Sequence, residues 1–202
     1  MTIALRDPES LPRGQQERRH RIVHAANARL EHAEYDSIQM RDVAVEAGVA
    51  LATIYRYFTS KEHLYAAALL DWATGFPTSR SPASTGTETD EARLRALMRR
   101  AIRAFERNPQ MIRVVTVLES SSDPNARARF DEFAALNIGT LADALSSTDP
   151  DTASAIIETA NSVMVTRLRS WSQGRTSIRD VRRHVERTLD LIYSPAPPTA
   201  GR

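Results

Sequence analysis

Residues 38–62, IQMRDVAVEAGVALATIYRYFTSKE, read as two short helices parted by a glycine. Ala44 is small enough to let two helix backbones approach, and Gly48 stands where a left-handed residue ends the first helix. Ile54 then offers the second helix's apolar contact back to Val43 and Ala44. An alanine, a glycine and a branched apolar residue at these offsets are the minimum a crossed helix pair needs, and a helix-turn-helix points to DNA.

The residues that follow extend the pattern. Thr53, Tyr55, Arg56 and Tyr57 lie on or beside the second helix, and each can hydrogen-bond to phosphates or base edges. Phe58 returns to the core. Thr59-Ser60-Lys61-Glu62 fits a capping box with Thr59 as N-cap and Glu62 at N3, Ser60 being the alternative cap. A further helix starts there, with free backbone N–H groups and Lys61 at its positive end, a terminus suited to a DNA phosphate.

Met40-Arg41-Asp42-Val43-Ala44, Ala47-Gly48-Val49, Thr53 to Phe58 and Ser60-Lys61-Glu62 together resemble the TetR-type one-component transcriptional regulators, over roughly residues 15–70. The resemblance implies an all-α chain: a three-helix helix-turn-helix domain, then a divergent helical domain that binds a small ligand and dimerises. It also implies a double-stranded DNA operator, released when ligand binds. Tyr55, Tyr57 and Lys61 are the expected phosphate anchors, and Thr53, Arg56 and Arg41 the contacts that reach base edges. Tyr55 could instead pack the helix pair. Three positions depart from the family pattern: Ala50 and Leu51 replace polar residues at the tip of the recognition helix, and Gln39 replaces a Ser or Thr. An apolar tip favours contact with thymine methyl groups over hydrogen-bonded readout.

Charge sharpens this expectation. Residues 1–75 hold nine cations against ten acids, so the DNA-binding part is not net basic, and affinity must come from the few cations that touch phosphate. Arg13, Arg18, Arg19 and Arg21 cluster early, as phosphate contacts or as a solvated helix start. At 202 residues and 42% hydrophobic content the chain can bury a real core. No apolar run approaches a membrane span, and the start, Met-Thr-Ile-Ala-Leu-Arg-Asp-Pro, has no signal-peptide core; a cytoplasmic protein is expected. Without cysteine there is no disulfide, thiolate metal site or cysteine nucleophile.

The rest reads as helix throughout, about nine in all. They run from about Gly14 to His32, through the two of the quoted stretch, then from Ser60 to Gly75, Glu91 to Arg107, Asn108-Pro109 onward, Asp123-Pro124 to Ser146, Thr152 to Gln173, and Ile178 to Tyr193. Pro77 to Asp90 is a Ser/Thr/Pro/Gly connector, and Ser-Pro-Ala-Pro-Pro cannot continue the last helix. The expected division is a flexible arm at 1–13, the helix-turn-helix domain at 14–60, the helical effector-binding and dimerisation domain at 61–193, and a disordered tail at 194–202.

A two-fold operator needs a two-fold dimer, and by resemblance the helices near 152–173 and 178–193 would pair with their mates; their apolar stripes could equally be consumed by the chain's own core. Asn137 and Asn161 each interrupt an apolar stripe, so each needs a polar partner: a ligand, a neighbouring backbone group or another subunit. Trp72, Met98, Phe105, Met111, Phe133 and Met164 are candidate pocket walls, or plain core. Gln39 to Ala44, Ala50 to Leu64, and Arg167-Leu-Arg-Ser-Trp171 also look like segments of actinobacterial repressors of steroid degradation, which respond to a steroid-derived acyl-CoA thioester. That implies a large, mostly apolar inducer, acting by displacing the fourth helix near Trp72. His20 and His24 stand one helical turn apart, but no third ligand lies at a telling spacing, and no metal or cofactor is expected. Catalytic motifs are missing too, so no enzyme is expected; the alternatives are an interaction protein with an unused helix-turn-helix and, behind it, a helical enzyme.

Overall fold

The computed structural model describes residues 11–75 and 88–194. Among them the chain is all-helical: α1 Arg13–His32, α2 Met40–Glu46, α3 Leu51–Tyr57, α4 Lys61–Thr74, α5 Asp90–Arg107, α6 Gln110–Glu119, α7 Pro124–Ala144, α8 Pro150–Ser172 and α9 Ile178–Tyr193, with a 3-10 turn at Tyr35–Ser37. Most of the expected arm, connector and tail lie outside the described residues. The chain packs as two units, Met1–Phe76 with Arg113–Ala135, and Pro77–Ile112 with Leu136–Arg202.

In the first unit α1 packs on α4 and α2, and α2 on α3. Ile22, Ala26, Val43, Ile54, Phe58, Leu64 and Tyr65 are completely buried, so the apolar period of the sequence closes on one core. Helix α4 is buried on every side from His63 to Leu69. Asn27 ties α1 to it, its amide donating to the Ala68 carbonyl at 3.3 Å and the Asp71 carboxylate at 3.2 Å.

Gly48 ends α2 as its position suggested. Its φ of 61° lets the Val49 N–H reach back to the Ala44 carbonyl at 3.0 Å while its own N–H reaches Val45 at 3.1 Å, the paired bonds of a Schellman stop. Gly174, with φ 70°, ends α8 the same way, through Arg175 to Ser170 and Gly174 to Trp171, both at 2.9 Å. The cap of α4 differs from the first expectation. Ser60, not Thr59, is the N-cap: it is the extended residue immediately before α4, with φ −151° and ψ 172°, and its hydroxyl oxygen accepts the His63 N–H at 3.0 Å.

In the second unit α9 packs along α8 and α5. Ile156, Ile157, Ala160, Met164 and Leu168 of α8 and Val181, Val185 and Leu189 of α9 are buried within the single chain. The stripes offered for dimerisation are thus taken up by the chain's own core; Leu191 of α9, 70% exposed, is left outside it. Arg95 joins α5 to α9, meeting Glu91 and Glu186 at 2.8 Å and Asp190 at 2.7 Å, and Arg99 shares Glu186 at 2.6 Å.

Candidate DNA interface and ligand-domain residues

The helix-turn-helix exposes an apolar surface. Leu51 is 40% and Tyr55 51% exposed, and Ala50, the N-cap of α3, supplies no side-chain hydrogen bond. Val45 on α2 is 83% exposed, a feature the sequence reading passed over. The signal was there: in the run Val43-Ala44-Val45, three successive apolar residues cannot share one helix face at about 100° per residue. Arg41 and Arg56 are exposed and Thr53 is half-buried.

Tyr57 stands apart from Tyr55. It is only 6% exposed, and the Arg56 guanidinium lies over its ring at 5.3 Å with a terminal nitrogen 3.5 Å from its hydroxyl. Its ring is a platform that restricts Arg56. Arg19 does likewise on Phe58, at 5.1 Å, where burial lowers its basicity against the opposing pull of Glu132 and Asp71. Of the early arginines, Arg19 is therefore a packing residue, and Arg13 is paired with Glu17 at 3.2 Å.

Lys61 is half-buried at the start of α4. Its ammonium donates to the Tyr35 carbonyl and lies 4.1 Å above the Tyr35 ring centroid, and that ring meets Tyr65 edge-on at 5.1 Å. Burial lowers the Lys61 pKa, opposed by Asp36 and Glu62. Next to it Arg113 grips Asp36 through two bonds, at 2.8 and 3.2 Å, which hold the Asp36 carboxyl below its ordinary value. His63 is 5% exposed, and burial depresses its pKa to about 4, so it accepts the Thr59 N–H at 3.2 Å as a neutral ring.

The ligand-domain candidates divide between the units. Trp72 and Phe133 belong to the first, both half-buried. Met98, Phe105, Met111 and Met164 are buried in the second. Asn137 and Asn161, singled out separately, meet there: the Asn137 amide donates to the Asn161 oxygen at 3.4 Å, joining α7 to α8. An open depression of about 760 Å³ lies in the first unit, between Thr59-Ser60 and the segment 117–125, and none of these eight residues lines it.

His20 faces Asp71 at 3.8 Å, and among the described residues no three His, Cys, Asp or Glu side chains are grouped to hold a metal ion. None of the described helices is long and apolar enough to cross a membrane.

An all-helical chain whose N-terminal unit exposes a helix-turn-helix is built as a DNA-binding regulator. The model of bacterial regulatory proteins of the tetR family matches residues 22–68, and that of the tetracyclin repressor-like C-terminal domain matches residues 86–192. The chain belongs to the TetR family of transcriptional regulators, a family of regulators and not of enzymes. It is 31% identical over 185 residues to the HTH-type transcriptional repressor KstR of Rhodococcus jostii (strain RHA1), covering 88% of this chain and 84% of that protein. KstR of Mycobacterium tuberculosis (strain ATCC 25618 / H37Rv) is 30% identical over 179 residues, covering 88% and 81%. The fold is shared with a TetR regulator from Rhodococcus sp. RHA1, at TM-score 0.72 and 24% identity over 91% of this chain and all of that one.

Proposed function

We propose that this regulator is a repressor that binds a palindromic operator as a homodimer and lets go when a small, largely apolar molecule occupies its C-terminal domain. The observation that carries the reading is the likeness to KstR repressors along nearly the whole chain, beyond the helix-turn-helix alone. The DNA contacts are Tyr55 and Lys61 on phosphate, with Arg41, Thr53 and Arg56 directed at base edges and Tyr57 holding Arg56. Ala50 and Leu51 read thymine methyl groups.

The ligand is a steroid or acyl-CoA derivative, received within the second unit among Met98, Phe105, Met111 and Met164. The Asn137–Asn161 pair supports a polar handle, since an amide pair spends one donor and one acceptor on itself and keeps others for a ligand carbonyl or hydroxyl. Such a ligand can shift the protein only by binding the released state more tightly than the DNA-bound one. In a dimer the shift alters the spacing of two recognition helices, to which operator binding is sensitive. The protein acts in the cytoplasm.

The test uses a labelled duplex enriched by the protein from a random-sequence library. Steroid-acid CoA thioesters at micromolar concentration should release it, while the free acids and CoA alone should not. Release by none of them removes the ligand assignment. Sedimentation as a monomer at micromolar concentration removes the palindrome.

A further inference from the structure

Phe58–Ser60 form the whole link between α3, which presents Leu51 and Tyr55, and α4. One carboxylate bonds to two of its three residues. One oxygen of Asp123 accepts from the Thr59 hydroxyl at 2.7 Å and from the Ser60 hydroxyl at 2.5 Å. The other accepts the backbone N–H groups of Asn125 at 2.8 Å and Ala126 at 3.3 Å, in the first turn of α7. The Thr59 oxygen also accepts from the Asn125 amide at 3.3 Å, and the Ser60 oxygen accepts the His63 N–H that caps α4.

Donor counting makes the arrangement specific. A hydroxyl has one proton and two lone pairs, so giving both protons to Asp123 frees the lone pairs to cap α4 and to receive Asn125. Burial pushes the Asp123 carboxyl up, but the bonds from Ser60, Thr59, Asn125 and Ala126 outweigh it and keep the group ionised. A negative charge beside a helix start works against a phosphate arriving there. The acid is explained by what it holds.

We propose that Asp123 is a positioning residue for operator readout, fixing the Phe58–Ser60 link and with it the direction of α3. Base-edge hydrogen bonds weaken steeply with distance and angle, whereas phosphate attraction tolerates displacement. Loss of Asp123 therefore acts on sequence preference more than on DNA affinity in general. The inference rests on α3 being the helix that reads the operator.

The experiment compares an enriched duplex, selected from a random library by the wild-type protein, with a random duplex of equal length, by fluorescence anisotropy at fixed salt. Asp123→Asn, of the same size, should cut the preference for the enriched duplex about tenfold, while binding to the random duplex and the melting temperature stay near wild type. Asn125→Ala, which removes a second α7 partner of Thr59, should cut it about threefold in the same sense and serves if the first variant misfolds. Unchanged preference overturns the proposal. So does tighter binding to both duplexes, which would make Asp123 only a repulsive charge, and so does equal weakening on both with a lower melting temperature, which would make it only structural. Should the wild-type protein enrich no sequence, the operator reading itself fails, and this inference with it.

Discussion

The Lys61 ammonium is bound to the Tyr35 carbonyl oxygen and lies over the Tyr35 ring, so the cation proposed to meet DNA also fastens the turn before α2 to the start of α4. An ammonium has three donors, and this half-buried one keeps capacity for a phosphate. Lys61→Ala should therefore change two quantities. The slope of log affinity against log salt should fall by about one unit, because one phosphate contact is lost. Unfolding free energy should fall by about 1 kcal/mol, the worth of a charge-assisted bond at a half-exposed site. A stability loss with an unchanged slope would leave Lys61 as a fastening alone.

Gly48 tests the turn between α2 and α3. A Cβ built there meets nothing within 4 Å, so a substitution is opposed by backbone conformation and not by crowding. With φ at 61°, Gly48→Ala should cost about 1–2 kcal/mol. Gly48→Asn should cost less, since asparagine enters the left-handed region more readily. Thermal melts of the two variants check the order; equal losses would mean that something other than φ sets the cost.

The stop at Gly48 was legible because a helix end is a local event, as was the apolar contact of Ile54 with Val43 and Ala44. Partners distant along the chain were not. Periodicity marked Asn137 and Asn161 as polar residues on apolar stripes, yet nothing in it said that they would meet each other. Thr59 was read as an N-cap because a capping box is scored from its own four residues. Where α4 starts decides between the two hydroxyls: Ser60 is the extended residue directly before it and caps, while Asp123, from another helix start, accepts from both Thr59 and Ser60. Arg19 was visible as a charge, but its seat on Phe58 depends on how α1 lies against the end of α3. The face of α2 that carries Val45 could have been found by counting rotation per residue.

His63 gives the fold a pH dependence of definite sign. Its folded pKa is about 4, depressed first by burial and then by Arg19 and Arg129 against the pull of Asp123, while the unfolded value is the ordinary 6.5. The native state therefore holds the ring neutral, and the contribution is fully present above pH 6.5. As pH falls from 6.5 towards 4 the unfolded state takes up the proton first and stability is lost, to a limit of roughly 3 kcal/mol. His63→Asn keeps an acceptor for the Thr59 N–H without titrating. Between pH 6.5 and 5.5, above the range in which carboxylates protonate, denaturant midpoints should decline for wild type and stay level for the variant; parallel declines would contradict the assignment.

Leu51 and Tyr55 allow the proposed recognition and adhesion to be tested separately on one helix. Both are exposed on α3, and they differ in what they can offer: Leu51 has only methyl groups, whereas Tyr55 has a hydroxyl. A methyl group in the major groove distinguishes thymine from the other bases, while a hydroxyl on phosphate distinguishes none. Tyr55→Phe should weaken binding to every duplex by a similar factor, about tenfold or a little more for one lost hydrogen bond to a charged group. Leu51→Ala should leave binding to random DNA unchanged and relax the preference at one thymine of each half-site by about 1 kcal/mol, near the lower end of the cost of a mismatched base pair. Selection from a random library with each variant measures both. If Leu51→Ala enriches the wild-type sequence with undiminished thymine preference, the apolar tip of α3 does not read bases.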